Sequence, residues 1–318
     1  MTVNGKKYFY LEKSMRIGKN TLKTSKFLGK REEISESRLK EELKKFTLEV
    51  DDRFVKLREN FLKKNILSLE YPLTWDEINK LEAMNFKYHQ IMSDLRKEDI
   101  TDIKKRFVAN FVFESNAIEG NSLTLKNYNE IIFENRIAKG ADLREVYDAQ
   151  NSYKTFLWLF KSREELKEKL ILKIHKKIMK NIDSRAGYKS VPNIILGSKV
   201  KLSLPEDVPS DIQNLLFWYE ENKKKLHPLE LAFKFHYKFE KIHPFSDGNG
   251  RVGRMLLNYI LLREGYFPII IRKTQRQKYL RALQEVDFGK FILLMRFALE
   301  KYKETYRKFF EVYYQYRP

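Results

Sequence analysis

His243-Pro244-Phe245-Ser246-Asp247-Gly248-Asn249-Gly250-Arg251-Val252-Gly253-Arg254 is the most informative stretch of this 318-residue sequence. The residues from Leu229 to Ile242 before it have a helical pattern, and Pro244 disfavours a helical conformation at the preceding residue. We therefore expect His243 at a helix exit, in a loop. The turn-forming residues 247–250 should then lead into a second helix that begins near Arg251.

The residue types in this stretch suit the binding of a polyphosphate. Backbone N–H groups at a helix start favour an anion, and glycines let a phosphate approach the backbone closely. Arg251 and Arg254 are three residues apart, so they should share one helix face. Asp247 offers a hard oxygen of the kind that Mg²⁺ takes alongside phosphates, and His243 offers a base that titrates near neutral pH. Together these groups indicate phosphoryl or nucleotidyl transfer.

The same stretch resembles the signature of the Fic family, H-P-F-x-D-G-N-G-R-x-x-R, at every fixed position. The resemblance implies that His243 takes the proton from a target hydroxyl and that Asp247 binds a phosphate-bridging Mg²⁺. It further implies that Gly248, Asn249 and Gly250 form an anion hole, with the Asn249 amide on the α-phosphate. Arg251 and Arg254 would hold the outer phosphates. Phe245 would be a packed core anchor.

The resemblance covers residues from about 100 to 290 and implies a protein adenylyltransferase. The intact Gly-Asn-Gly turn favours ATP as donor and AMP as the group moved to a Ser, Thr or Tyr hydroxyl of a target protein. Two alternatives on the same site stay open: removal of AMP, and transfer of phosphate or another nucleotide. The sequence identifies neither the target protein nor the residue modified, and it leaves a homodimer open.

An upstream segment, Ser115-Asn116-Ala117-Ile118-Glu119-Gly120-Asn121, resembles the family's inhibitory motif. Ser115 and Glu119 are four residues apart and hence on one helical face, and Gly120 or Asn121 can end that helix. The resemblance implies that Glu119 pairs with Arg254 in a bidentate manner and withholds it from the γ-phosphate. In some relatives the same glutamate also activates water for AMP removal.

The fold class that we expect is mainly α, a Fic-type helical bundle with a small β-hairpin flap. Helical patterns cover about 99–118, 124–137, 142–160, 163–181, 209–224, 227–242, 248–264, 274–286 and 288–315. The exception is the β-branched segment Val191–Val200, which reads as a hairpin where the family has its flap. By resemblance Tyr279 is a candidate wall for adenine, although a core aromatic fits it equally well. His175, His227 and His236 are expected to be packed or capping residues.

The N-terminal part differs from the rest of the chain. Residues 1–31 hold nine Lys or Arg and a single acid, Glu12, and suggest a basic β-hairpin that turns near Gly18. An apolar stripe follows on a long helix that Pro72 closes, formed by Leu39, Leu43, Phe46, Val50, Phe54, Leu57 and Phe61. Thr74 and Glu77 then form a capping-box pattern. We predict four segments: 1–31 hairpin, 32–98 helical region, 99–290 catalytic domain with inhibitory helix, and 291–318 C-terminal helix.

Composition limits the possible classes of protein. The chain has no cysteine, which excludes disulfides, thiolate metal sites and cysteine nucleophiles. No apolar run approaches the length of a membrane helix, and the start has no signal-like stretch, so we expect a cytoplasmic protein. The net charge of +20 favours acidic partners, nucleotides or nucleic acid. An alternative from another functional class is that the basic hairpin binds nucleic acid. The competing structural interpretation is that its lysines only protect an edge strand from unwanted pairing.

Overall fold

The fold was described from a computed structural model, and the structure describes residues 2–3, 6–17, 20–65, 74–137, 139–185, 187–193 and 201–315. The chain divides into two compact units. One comprises Met1–Leu67 and Thr74–Phe86, and the other comprises Ser68–Leu73 and Lys87–Pro318. This division does not address the four predicted segments, which stay a prediction. Within the described residues, no helix combines the length and apolar character needed to cross a membrane.

The first unit begins with an antiparallel sheet in the order β1–β2–β3, formed by Thr2–Val3, Lys6–Ile17 and Asn20–Lys30. Strands β2 and β3 pair with Tyr8 opposite Lys30, and a bulge lies at Phe9/Tyr10. The predicted hairpin is confirmed, with strands longer than expected. Gly18 at its predicted turn lies outside the described residues. Several hairpin lysines are paired with acids, which suits the structural alternative better than strand contact with nucleic acid: Lys13 with Asp51, Lys23 with Glu12, and Lys26 with Glu42.

Helix α1, Glu36–Asn65, carries the predicted apolar stripe, but only its middle is buried. Phe46, Val50 and Phe54 form a small core against which Leu57 and other residues pack. Leu43 is 50% exposed, so the apolar stripe is not covered along its whole length by the described residues. The spacing of apolar residues shows which face of a helix can be buried. How much of that face is covered depends on the length of the element that packs against it. Pro72 and the side chain of Phe61 lie outside the described residues.

Helix α2, Trp75–Asp94, begins with the predicted capping box. The backbone N–H of Glu77 donates to the Thr74 hydroxyl at 3.2 Å, and the Thr74 N–H donates to the Glu77 carboxylate at 3.1 Å. These bonds satisfy two backbone donors that a helix start otherwise leaves without partners.

The second unit is helical and is built around α8 and α9. Its helices are α3 Lys97–Ile118, α4 Leu125–Phe133, α5 Leu143–Lys161, α6 Glu168–Ile178, α7 Val208–Asn222, α8 Pro228–Ile242, α9 Asn249–Arg263, α10 Arg276–Val286, α11 Phe291–Thr305 and α12 Glu311–Gln315, with a π-helical turn at Tyr306–Phe310. Every residue of α9 from Arg251 to Leu261 is buried, so α9 is the central helix. The mainly helical fold class is confirmed.

Several helix boundaries differ from the predictions. The helix expected over 124–137 ends already at Phe133. The helix expected over 163–181 begins only at Glu168, and the one expected over 288–315 begins at Phe291 and is interrupted by the π turn. Apolar spacing does not show where a side chain competes with the helix for backbone hydrogen bonds. At Ser162 it does, because the Ser162 hydroxyl accepts from the Glu164 N–H. The predicted flap hairpin falls mostly on residues 194–200, which lie outside the described residues.

Candidate active site

His243 lies where α8 ends, as predicted. Its backbone is left-handed, with φ 49° and ψ 59°, and its N–H donates to the Phe239 carbonyl at 3.0 Å. Pro244 explains why the helix ends here, because a residue before proline avoids the right-handed helical region, but it favours an extended backbone and does not account for the left-handed one. A left-handed backbone is strained for a residue with a side chain, and such residues are often found at functional sites.

The loop after His243 is held by hydrogen bonds and ring stacking. The Asn249 carboxamide accepts from the Phe245 N–H at 2.8 Å and donates to the Phe245 carbonyl at 2.7 Å. Phe245 is fully buried and stacks on His175 with ring centroids 3.7 Å apart. The Nε2 atom of His175 is 3.1 Å from the carbonyl oxygen of Asp247. The predictions of a packed Phe245 and a packed His175 are confirmed. The Asn249 side chain is engaged by the loop itself in this structure.

Gly250, in the first turn of α9, allows a carboxylate to approach the backbone very closely. A Cβ atom at this position would clash with Oε1 of Glu119 and would lie 2.9 Å from Nη1 of Arg254. Unpaired N–H groups at a helix start carry partial positive charge and attract anions. The Glu119 carboxylate therefore lies beside the first turn of α9, next to the turn where the sequence predicts an anion.

Arg254 is almost fully buried and is held by the end of α3. Its Nη2 atom lies 2.6 Å from Oε1 of Glu119 and 2.9 Å from the carbonyl oxygen of Ser115, and its Nε donates to the Ser115 hydroxyl at 2.9 Å. Gly120, with φ 103°, ends α3 directly after Glu119. The structure thus brings together the predicted inhibitory residues and Arg254. The ion pair joins a single Glu119 oxygen to Nη2, and the expected bidentate pairing is not seen among the described residues.

Arg251 is also buried, but it faces a different helix from Arg254. Its guanidinium forms an ion pair with Asp148 on α5 and lies 3.4 Å from Oδ1 of Asp247. Arg144, one turn before Asp148, forms an ion pair with the other Asp247 oxygen. Burial raises the pKa of Asp148, against the opposing effect of Arg251 and Arg144. Sequence reasoning missed Arg144 and Asp148, because they lie about a hundred positions away from the motif and belong to no recognisable pattern.

Asp247 could hold a metal ion through its carboxylate, which is about one-third exposed. Among the described residues no cluster of three or more His, Asp or Glu side chains forms a ready metal cage. A single carboxylate fits an ion such as Mg²⁺ that completes its shell with substrate phosphates and water. Arg144 would then have to release the carboxylate or share it with the ion.

A buried polar cluster that sequence reasoning missed lies behind His243. Glu240 on α8 has Oε2 at 4.0 Å from Nδ1 of His243 and Oε1 at 3.8 Å from Nδ1 of His236. Burial raises the pKa of Glu240 to about 8, against the Arg254 charge. Gly253 leaves room for this carboxyl, since a Cβ there would clash with Oε1 of Glu240. The spacing of these residues along one helix was visible in the sequence, but the burial of a carboxyl group was not.

Tyr279 is part of the same cluster and is 1% exposed. Its hydroxyl lies 2.6 Å from Nε2 of His236, and the two rings stack. Such burial suits the core-aromatic alternative for Tyr279 rather than an open wall for adenine. His236 is buried here as predicted, and the buried His227 caps α8 by accepting from the Leu229 N–H at 3.2 Å.

The pKa of His243 is lowered, first by burial and then by the Lys189 ammonium. The backbone of Glu240 and the acids Glu119 and Asp247 act in the opposite direction. Lys189 is itself buried and donates to the Ile242 carbonyl at 3.4 Å. A lowered pKa keeps the imidazole neutral near pH 7, and a neutral imidazole can accept a proton.

The fold and the site define a class of protein: a helical domain with a glycine-rich turn between a histidine and two arginines, and with a glutamate close to that turn. Residues 165–261 match the model of the Fic/DOC family. The chain therefore carries a Fic/DOC-family domain, and the resemblance seen in the motif is confirmed.

Named relatives and solved structures agree with this assignment. The chain is 30% identical over 226 residues to protein adenylyltransferase Fic of Drosophila virilis, covering 69% of this chain and 45% of that protein. It is 29% identical over 206 residues to protein adenylyltransferase fic-1 of Caenorhabditis elegans, covering 63% and 40%. A Fic domain containing signaling protein from Bacteroides thetaiotaomicron has a TM-score of 0.65 at 25% identity, covering 71% of this chain and 95% of that one. The chain thus spans less than half the length of the curated relatives it matches.

Proposed function

We propose that this protein is a protein adenylyltransferase that moves AMP from ATP to a hydroxyl of a target protein and is inhibited in cis by Glu119. The observation that carries the proposal is the Glu119 carboxylate lying against Gly250 and 2.6 Å from Arg254. An arginine that the proposal assigns to the outer phosphates is thereby engaged by an internal anion. A magnesium requirement and a cytoplasmic location belong to the same proposal.

The reaction would begin at His243, whose neutral imidazole accepts the proton of the target hydroxyl. The hydroxyl oxygen then bonds to the α-phosphorus of ATP, and the bond from that phosphorus to the bridging oxygen breaks, which releases pyrophosphate. The N–H groups of residues 248–250 would stabilise charge on the α-phosphate. Arg251 and Arg254 would hold the outer phosphates. A magnesium ion on Asp247 would neutralise phosphate charge.

Inhibition would follow from competition for Arg254. A buried guanidinium with one carboxylate partner and two contacts to Ser115 has little capacity left for a γ-phosphate. ATP would also meet like charge, because the Glu119 carboxylate lies at the anion site. The Glu119 side chain is 42% exposed, so the end of α3 can be reached from outside by whatever relieves the inhibition.

The test is self-modification with ATP labelled in the α-phosphate and magnesium. We expect Glu119→Gly to incorporate at least about tenfold more label than wild type, since a single charge-assisted contact is worth about 1.4 kcal/mol or more. Glu98→Gln is the matched control, because Glu98 is an exposed acid in the first turn of the same helix, and it should behave as wild type. Adding His243→Ala to Glu119→Gly should abolish the label.

Label in the γ-phosphate separates AMP transfer from phosphate transfer. Retention of α-label without γ-label supports the proposal, whereas retention of γ-label refutes it. Equal incorporation by Glu119→Gly and wild type would refute the inhibitory role of Glu119.

A further inference from the structure

A cavity of 480 Å³ lies between α7, α8 and the segment 201–203 of the second unit. Its wall contains apolar side chains, two aromatic rings, three lysines and one acid. The polar and aromatic members are Lys201, Ser203, Asp211, Asn214, Trp218, Tyr237, Lys238 and Lys241. The volume is in the range of sites that bind small molecules or single side chains. No part of the proposed AMP transfer uses this cavity.

The lysines give the cavity an excess of positive charge. Lys241 is paired with Asp287 at 2.9 Å, but among the described residues neither Lys201 nor Lys238 forms an ion pair. The Lys238 ammonium is half-buried and lies 5.2 Å from the centre of the Trp218 ring. Burial, followed by the nearby Lys234, lowers the pKa of Lys238. A partly desolvated cation without a counter-ion is stabilised by an anion that enters beside it.

The acids around the cavity limit the kind of anion that fits. Asp211 lines the wall and accepts from the Ser203 hydroxyl at 2.5 Å, while Asp287 accepts from Tyr237 at 2.6 Å as well as from Lys241. These carboxylates oppose a multiply charged phosphate chain. These acids repel a single carboxylate less than a phosphate chain. Such a carboxylate can still pair with Lys238 or Lys201, and its methylene groups can pack on the Trp218 ring.

The cavity lies at the end of the helix that leads to His243. Ile242, the residue directly before His243, is part of its wall, and the Ser203 N–H donates to the Lys241 carbonyl at 3.3 Å. A peptide whose side chain enters the cavity would therefore run beside the proposed base. The peptide residues next to that side chain are then placed to present a hydroxyl to His243.

We propose that this cavity binds an acidic side chain of the protein target, so that hydroxyls flanked by Asp or Glu are selected for modification. The inference rests on the proposed function for its meaning, but peptide binding tests it without any transfer reaction.

The binding test uses fluorescein-labelled peptides and fluorescence anisotropy without ATP. One peptide carries a threonine flanked by glutamates, and a second carries glutamines in their place. Wild type should bind the glutamate peptide about tenfold more tightly, as expected for one desolvated ion pair. Lys238→Glu should abolish this preference, and Lys238→Gln should weaken it. Lys224→Glu, a change of the same charge at an exposed lysine outside the cavity wall, should retain it.

Several outcomes would overturn the inference. Equal affinities of wild type for the two peptides would do so, as would an equal loss of preference in Lys224→Glu and Lys238→Glu, which would indicate general surface charge. Binding of an oligothymidine that depends on Lys238, without glutamate-peptide binding, would identify a nucleic-acid site instead. Self-modification by the Glu119→Gly protein is measured in parallel, so a failure of AMP transfer and a failure of peptide selection are distinguishable.

Discussion

Replacing Glu240 by glutamine should change how the stability of the protein depends on pH. The carboxyl of Glu240 is buried, and its pKa is raised from 4.5 to about 8, first of all by that burial. In the unfolded chain the group loses its proton near 4.5, whereas in the folded protein it keeps the proton up to about 8. Stability that is fully present below 4.5 is therefore lost as pH rises towards 8.

The magnitude follows from the difference between the two pKa values. A change from 4.5 to about 8 corresponds to a loss of about 5 kcal/mol, which is the upper value for a site that does not relax. Glutamine has nearly the same shape and does not titrate. The free energy of unfolding of Glu240→Gln should therefore rise relative to wild type by up to this amount between about pH 5 and pH 8.

Urea denaturation followed by circular dichroism, at pH values from about 5 to 9, measures this difference. Other titrating groups are shared by the two proteins and cancel in the comparison. Glu221→Gln is a suitable control, because Glu221 is an exposed acid on α7 that forms no ion pair with the described residues, and it should not reproduce the effect of Glu240→Gln. A constant difference between wild type and Glu240→Gln over the same range would refute the assignment of Glu240 as a buried, protonated acid.

Two further predictions concern the packing around the site. Gly253→Ala places a Cβ against Oε1 of Glu240 and 2.9 Å from Nδ1 of His236, so we expect overpacking that lowers stability by about 1–3 kcal/mol, measured as a lower denaturation midpoint in urea. Asn249→Ala removes both hydrogen bonds to the buried backbone of Phe245 and should cost about 2 kcal/mol. A fully stable Asn249→Ala protein would show that these two bonds do not hold the loop.

Local signals in the sequence predicted the elements that depend on a few neighbouring residues. Pro244 placed His243 at a helix exit, and the four-residue spacing of Ser115 and Glu119 placed both on one face of α3. These predictions held because a proline and a helical repeat act within one turn of the chain. The roles of these residues in AMP transfer stay predictions.

Features that depend on distant residues could not be predicted. The ion pairs of Arg144 with Asp247 and of Arg251 with Asp148 join positions about a hundred residues apart. Leu43 fits the apolar stripe of α1 yet is exposed, because a stripe shows only which face can be buried. The raised pKa of Glu240 likewise results from packing by surrounding helices, which a spacing pattern does not record.

The bare backbone at Gly250 has a consequence for how the protein can escape its own inhibitor. The same missing side chain admits both the glutamate and, in the proposed reaction, a phosphate of the substrate. A larger residue at position 250 would exclude both the glutamate and the phosphate, so a substitution at this position cannot remove one ligand and keep the other. Selective release has to act on the other partner of the contact, by moving the Glu119 side chain or the helix end that carries it, which Gly120 closes with φ 103°.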